Sequence, residues 1–262
     1  MASPSLTPSA RRWPDWRGAV LPAGFIALWW AATALSWVDT RLIVPPGRVA
    51  ALAWQHLRDA GFYAGLGASL WRDALGFAAG SAAGLALGVL MGTSRRADDL
   101  VGPSFHTLRQ VSLFAWLPLL TAWLGTGDPA KVLFIALSAF YPVTLGAFEG
   151  VRGVPRAQLE VARVHGFTRV QLLTRLILPA AAPQVLTGLH LALVYAWLAT
   201  IGAEYLLPNF SDGVGTLVMR GRAAFQVDLI LFGMLVIGGV GWAFNRLATR
   251  IESRALHWRD VP

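Results

Sequence analysis

Long apolar runs alternate along the chain with short segments that carry arginine. A helix that crosses a bilayer needs ~20 mostly apolar residues. Six stretches meet that requirement: 19–38, 68–92, 103–124, 130–149, 181–207 and 227–248. The third is the weakest, because Arg109, Gln110 and Ser112 occupy its first half, and Pro118 predicts a break within it. After the first run, Pro45, Pro46 and Gly47 predict a turn, and Val49 to Leu57 an amphipathic helix on the outer surface. Residues 150–180 form the longer cytoplasmic segment, and no separate soluble domain fits.

Composition agrees with this pattern. Hydrophobic residues make up 55% of the 262, and charged residues 14%, against ~25% charged in soluble domains. The net charge of +8 is carried by 21 arginines and one lysine, Lys131. In a soluble protein such a balance points to nucleic acid; between apolar runs it points to a membrane surface. With the N-terminus in the cytoplasm, 14 basic residues fall on inner segments and 6 on outer ones. This asymmetry predicts a multi-pass protein with both termini inside. Trp29, Trp30, Trp37, Trp123 and Trp242 lie at ends of apolar runs, as interfacial tryptophans do. Arg11 and Arg12 before an apolar run, with Ala32, Thr33 and Ala34 after it, have some look of a signal peptide. The run exceeds the usual core of ~7–15 residues, and its removal would spoil the charge alternation. The absence of cysteine excludes disulfides and thiol chemistry.

Within the spans, Gly76, Gly80, Gly84, Gly88 and Gly92 recur every four residues. They form a stripe ~24 Å long on one helix face. Such a stripe predicts close helix packing in lipid, or a surface that slides during work. Ionisable residues in spans are functional candidates. Glu204 near the outer end of the fifth span reads as a gate or as an anchor for 208–222. Arg109, with Gln110 and Ser112, reads as part of an anion path or as an arginine that snorkels to the inner surface. His190 reads as a satisfied buried histidine, and Arg72 and Asp73 as residues at the outer interface that need not pair.

In the cytoplasmic segment, Pro155 opens a helix, Gly166 ends it, and a second amphipathic stretch leads to Pro179, which marks the turn into the fifth span. A helix, a glycine and a helix projecting between two spans can dock into a groove on a soluble partner. Glu160, Ala162, Gly166, Ile177, Leu178 and Pro179 match the signature of the binding-protein-dependent permeases of ATP-binding-cassette importers, with Val161 in place of its first Ala. The chain resembles that family over nearly its whole length, in the aliphatic sulfonate, taurine and nitrate permease branch. Further matches are Val44 to Pro46, Leu66 with Ser69 to Arg72, Trp123 to Gly127, Gly150 to Arg152, Ala203 with Glu204, and Gly213 to Gly215. One departure is Arg109, Gln110, Val111 and Ser112, where the branch shows Arg-Pro-x-Pro.

The resemblance implies an all-α polytopic fold of about six transmembrane helices, the type I (MetI-like) ABC importer permease fold. It implies a cytoplasmic tail at 1–18, a permease domain at 19–252 with its coupling segment at 153–179, and a tail at 253–262. Glu160, Val161, Ala162, Arg163, His165, Gly166 and Phe167 then seat on an ATPase subunit. Arg109, Gln110, Ser112, His190 and Glu204 are candidates for the transport path. The implied partners are two ATPase subunits, a periplasmic binding protein and a second copy of the permease, in the bacterial inner membrane. No phosphate-binding loop is present, since the segment from Gly125 to Lys131 lacks the second glycine, so ATP and Mg are expected on the partner. No nucleophile elbow or zinc-protease motif occurs either. Two other readings are a secondary transporter or channel that needs no ATP, and a membrane scaffold without flux. No internal repeat of the kind many secondary transporters carry is evident.

Overall fold

The computed structural model describes residues 17–39, 43–207 and 213–255, and among these every regular element is helical. The elements in chain order are α1 (Arg17–Ala34), α2 (Pro46–His56), α3 (Ala60–Thr93), α4 (Arg95–Leu108), a 3-10 turn (Leu113–Trp116) and α5 (Leu117–Leu124). They continue with α6 (Asp128–Arg152), α7 (Arg156–Val164), α8 (Arg169–Gln171), a π-helical turn (Leu172–Ile177), α9 (Leu178–Leu206), α10 (Val214–Ala223) and α11 (Val227–Ala255). Among the described residues, four helices are long and apolar enough to cross a membrane: α3, α6, the continuous Arg169–Leu206 helix, and α11. The other two apolar segments are α1 and the Leu113–Leu124 pair.

Glycine sets the main helix contact. A Cβ on Gly84 would lie 2.7 Å from the Phe140 carbonyl oxygen, and one on Gly92 2.7 Å from Val151 Cβ. On Gly80 and Gly88 it would run into the carbonyls of Ala136 and Thr144. The stripe therefore lies against α6, on its backbone at Gly80, Gly84 and Gly88, and its register shows α3 and α6 to be parallel. The α6–α9 contact is antiparallel: Gly146 meets Gln184 and Gly188, and Gly150 meets Ala181. Without hydrophobic drive between helices in lipid, such close approach supplies the dispersion that holds them. Phe134, Ile135, Val143, Ala192, Ala196 and Ala203 fill the core between α6 and α9. Helix α11 packs on α9, where Trp197 Nε1 donates to the Ile237 carbonyl at 3.0 Å.

The boundaries differ from the sequence reading in five places. Helix α1 stops at Ala34, and Ser36 takes a left-handed φ of 54°. The third segment breaks at 109–112 and not at Pro118. Pro118 lies in the first turn of α5, where a missing N–H is harmless. Pro179 marks no turn, for the helix continues through it. The π-helical turn before Pro179 widens the backbone where a proline ring would press on the carbonyl four residues back. Finally, α3 begins at Ala60, with Asp59 Oδ1 accepting from Gly61 N at 3.0 Å, and α11 extends to Ala255. Arg11, Arg12, Arg41, Arg259, and parts of the two tails and of the 208–222 loop, lie outside the described residues.

Candidate functional site

Where α3 and α6 begin and α9 ends, a polar cluster is shut away from water. Glu204 is 0% exposed. Its Oε1 accepts from Arg72 Nη1 at 2.7 Å and from Ser69 Oγ at 2.8 Å, and its Oε2 accepts from Gly215 N at 2.9 Å. Ser69 Oγ in turn accepts from Val214 N at 2.9 Å. Two first-turn N–H groups of α10 are thereby satisfied, and a carboxylate sits where the helix dipole favours negative charge. Arg72 Nε also donates to Asp128 Oδ1 at 2.9 Å. Lys131, 1% exposed, lies one turn beyond Asp128 and within electrostatic reach of Arg72 and Glu204. Asp73, also buried, accepts from Thr200 Oγ1 at 2.9 Å. Arg72 and Asp73 are therefore buried within the bundle, and each has a partner on a facing helix that offsets its desolvation. Gly213 is required here, since a Cβ would overlap the Glu204 carboxylate.

A second feature lies halfway along the bundle. Arg109, Gln110 and Ser112 line an open cavity of about 430 Å³ together with Phe114, Tyr141 and Tyr195. Of the proposed path residues, these three share one space; Glu204 and His190 lie elsewhere. His190 is partly exposed on α9, bonded to Asn245 Oδ1 at 2.9 Å, with Glu252 Oε2 3.6 Å from its Nδ1. It therefore bridges the middle of α9 to the C-terminal half of α11, away from Glu204.

At the end of the bundle away from Glu204, where α6 finishes, α7 stands off the bundle. Its cap is a complete Schellman motif: Phe167 N donates to Ala162 O at 3.1 Å and Gly166 N to Arg163 O at 2.9 Å. Gly166 holds the left-handed φ of 73° that this cap needs. Thr168 and Gln171 then form a capping box that starts the next helix. Ala162 is buried, whereas Glu160, Val161, Arg163, His165, Gly166 and Phe167 are exposed, and Val164 is 85% exposed. An open groove of about 520 Å³ runs between Val161, His165 and Phe167 and the π-helical turn at Arg175 and Leu176.

Residues 81–254 match the family of binding-protein-dependent transport system inner membrane components. The chain belongs to this family. It is 35% identical over 253 residues to the "Putative aliphatic sulfonates transport permease protein SsuC" of Bacillus subtilis (strain 168), covering 97% of this chain and 91% of that one. It is 30% identical to the taurine transport system permease protein TauC of Escherichia coli (strain K12), covering 94% and 92%. The fold is similar to that of a chain of the MetNI methionine ABC transporter in an inward-facing conformation, with a TM-score of 0.56, 15% identity, and coverage of 70% and 92%.

In this permease, as a multi-pass membrane protein, the sequence reading missed several residues of both sites. Ser69, Asp128 and Lys131 complete the buried cluster, and Tyr141 and Tyr195 the cavity. A lysine and an aspartate one turn apart at the start of an apolar run were a usable signal, since an unpaired charge there is costly. The tyrosines carried no such signal, because aromatic residues are ordinary in spans.

Proposed function

We propose that the chain is the permease subunit of an ATP-binding-cassette importer for a small anion, sulfonate ahead of nitrate. Two copies form the path, and two ATPase subunits, which bind ATP and Mg, dock at the α7 end of each pair. A periplasmic binding protein delivers solute at the Glu204 end, near 39–67 and 207–225. The termini are cytoplasmic, in keeping with Arg152, Arg156, Arg163, Arg169 and Arg175 at the α7 end. The names of the sulfonate and taurine relatives support the choice of substrate.

The observation that carries this reading is α7. A short helix with a rigid cap presents Val161, Val164 and Phe167 to solvent beside an open groove. Exposed apolar side chains rimmed by charge mark a protein interaction surface. Closure of docked ATPase subunits would move α7, and through the continuous Arg169–Leu206 helix the motion would reach the middle of the bundle. The test is co-purification from mild-detergent membranes of the native host. An ATPase subunit should come down with the wild-type chain and be lost with Glu160→Arg. A wild-type chain that brings down no ATPase, under conditions that preserve other such complexes, contradicts the reading.

A further inference from the structure

The third apolar segment is not helical at its middle. Phe105, one turn before the break, packs its ring 5.8 Å from that of Tyr141, and Phe114, just after it, 5.7 Å from that of Phe134. Residues 109–112 therefore lie level with the stretch of α6 around Ser138. That stretch is ~15–20 Å from either end of the helix, near the middle of a bilayer. Irregular backbone at that depth is tolerated only where protein buries it or where it lines a watery cavity. Arg109, Gln110, Val111 and Ser112 are all exposed in this chain.

The side chains point to the same conclusion. Arg109 lines the 430 Å³ cavity, and no carboxylate is among the residues around it. Its guanidinium has no hydrogen bond or ion pair among the described residues, in contrast to Arg72, which has two carboxylate partners. Tyr141 and Tyr195, on α6 and α9, line the same space, and their hydroxyls have no hydrogen-bond partner among the described residues. Phe114, Pro142 and Leu198 supply an apolar wall.

We propose that this cavity is a mid-membrane binding site for a small organic oxyanion. Arg109 holds the charged head, the Tyr141 and Tyr195 hydroxyls donate to its oxygens, and a short apolar tail lies against Phe114 and Leu198. The proposal deepens the importer reading and rests on it for the direction of flow. A planar inorganic anion such as nitrate has nothing to place against the apolar wall, so the site favours alkanesulfonates over it. A guanidinium suits this task because its planar fork can give two parallel N–H bonds to one oxyanion head.

The chain has no cysteine, so Leu198→Cys places a single thiol on the cavity wall. In native membranes this thiol is challenged with two methanethiosulfonates of similar size, one bearing ethylsulfonate and the other ethyltrimethylammonium. Each rate is normalised to free cysteine. The anionic reagent should react about tenfold faster or more, as expected of a cleft that concentrates one sign of charge. Arg109→Gln should abolish the preference and Arg109→Lys should keep it. Ethanesulfonate should slow the anionic reagent more than nitrate at equal concentration. An unchanged preference in Arg109→Gln, or a thiol inert to both reagents, overturns the site. Equal protection by nitrate overturns the assignment to an organic oxyanion. The readout needs neither ATP nor transport. An anion-selective cavity in a chain that shows no ATP-driven uptake therefore supports the site and contradicts the importer.

Discussion

Arg72 and Glu204, 132 residues apart, meet at 2.7 Å with neither side chain in contact with water beyond a trace. Their pairing joins the start of α3 to the end of α9, and Glu204 passes the connection on to the first turn of α10.

Removal of one partner leaves the other buried and uncompensated. Arg72→Met should cost about 3–5 kcal/mol, read as a loss of thermal stability in detergent. In a Glu204→Gln background, the same substitution should cost less by about 0.5–3 kcal/mol. Additive losses in the double variant would show that the two residues do not act as a pair.

The glycine stripe makes a position-specific prediction. Gly80→Ala drives a methyl group into the Ala136 carbonyl and should destabilise by about 1–3 kcal/mol. Gly239 on α11 has open space around its missing Cβ. There, alanine should be neutral or stabilise by up to about 1 kcal/mol, because it is the better helix former. Equal effects at both sites in a thermal melt would contradict the α3–α6 contact.

At Gly166, space is free and backbone conformation is the constraint. Gly166→Ala should cost about 1–2 kcal/mol for a left-handed residue with a Cβ, and Gly166→Asn less. Hydrogen exchange of the Phe167 amide, which is bonded to Ala162 O, reads the cap directly. It should speed up in the order Gly, Asn, Ala.

A contrasting case is the Arg152–Asp98 pair, 2.5 Å apart, which ties α4 to the end of α6. Arg152 is nearly half exposed, so Asp98→Asn should cost less than about 1 kcal/mol and less still at high salt. The loss, measured as a shift of the melting midpoint at two ionic strengths, should fall well below that of Arg72→Met.

Much of this organisation was legible in the sequence, for stated reasons. A four-residue glycine period fixes one helix face whatever lies opposite, and a glycine after Val164 and His165 fixes where α7 ends. The helix facing the stripe was not legible, because the pairing is set by contacts between segments more than 50 residues apart. The burial of Arg72 escaped notice for the same reason: its partners Asp128 and Glu204 belong to other helices. Proline misled twice, since Pro118 and Pro179 occupy positions that a helix start or a π-helical turn accommodates. The true break, at 109–112, carries polar residues and no proline.

In the proposed importer, this permease moves its solute at the expense of ATP hydrolysed by docked subunits. The most direct test is uptake of radiolabelled ethanesulfonate by proteoliposomes containing the purified chain, its co-purifying ATPase and its binding protein. Accumulation is expected with ATP on the ATPase side, and none without ATP or with Glu160→Arg. Uptake that follows an ion gradient, proceeds without ATP and persists when the ATPase is left out would contradict it.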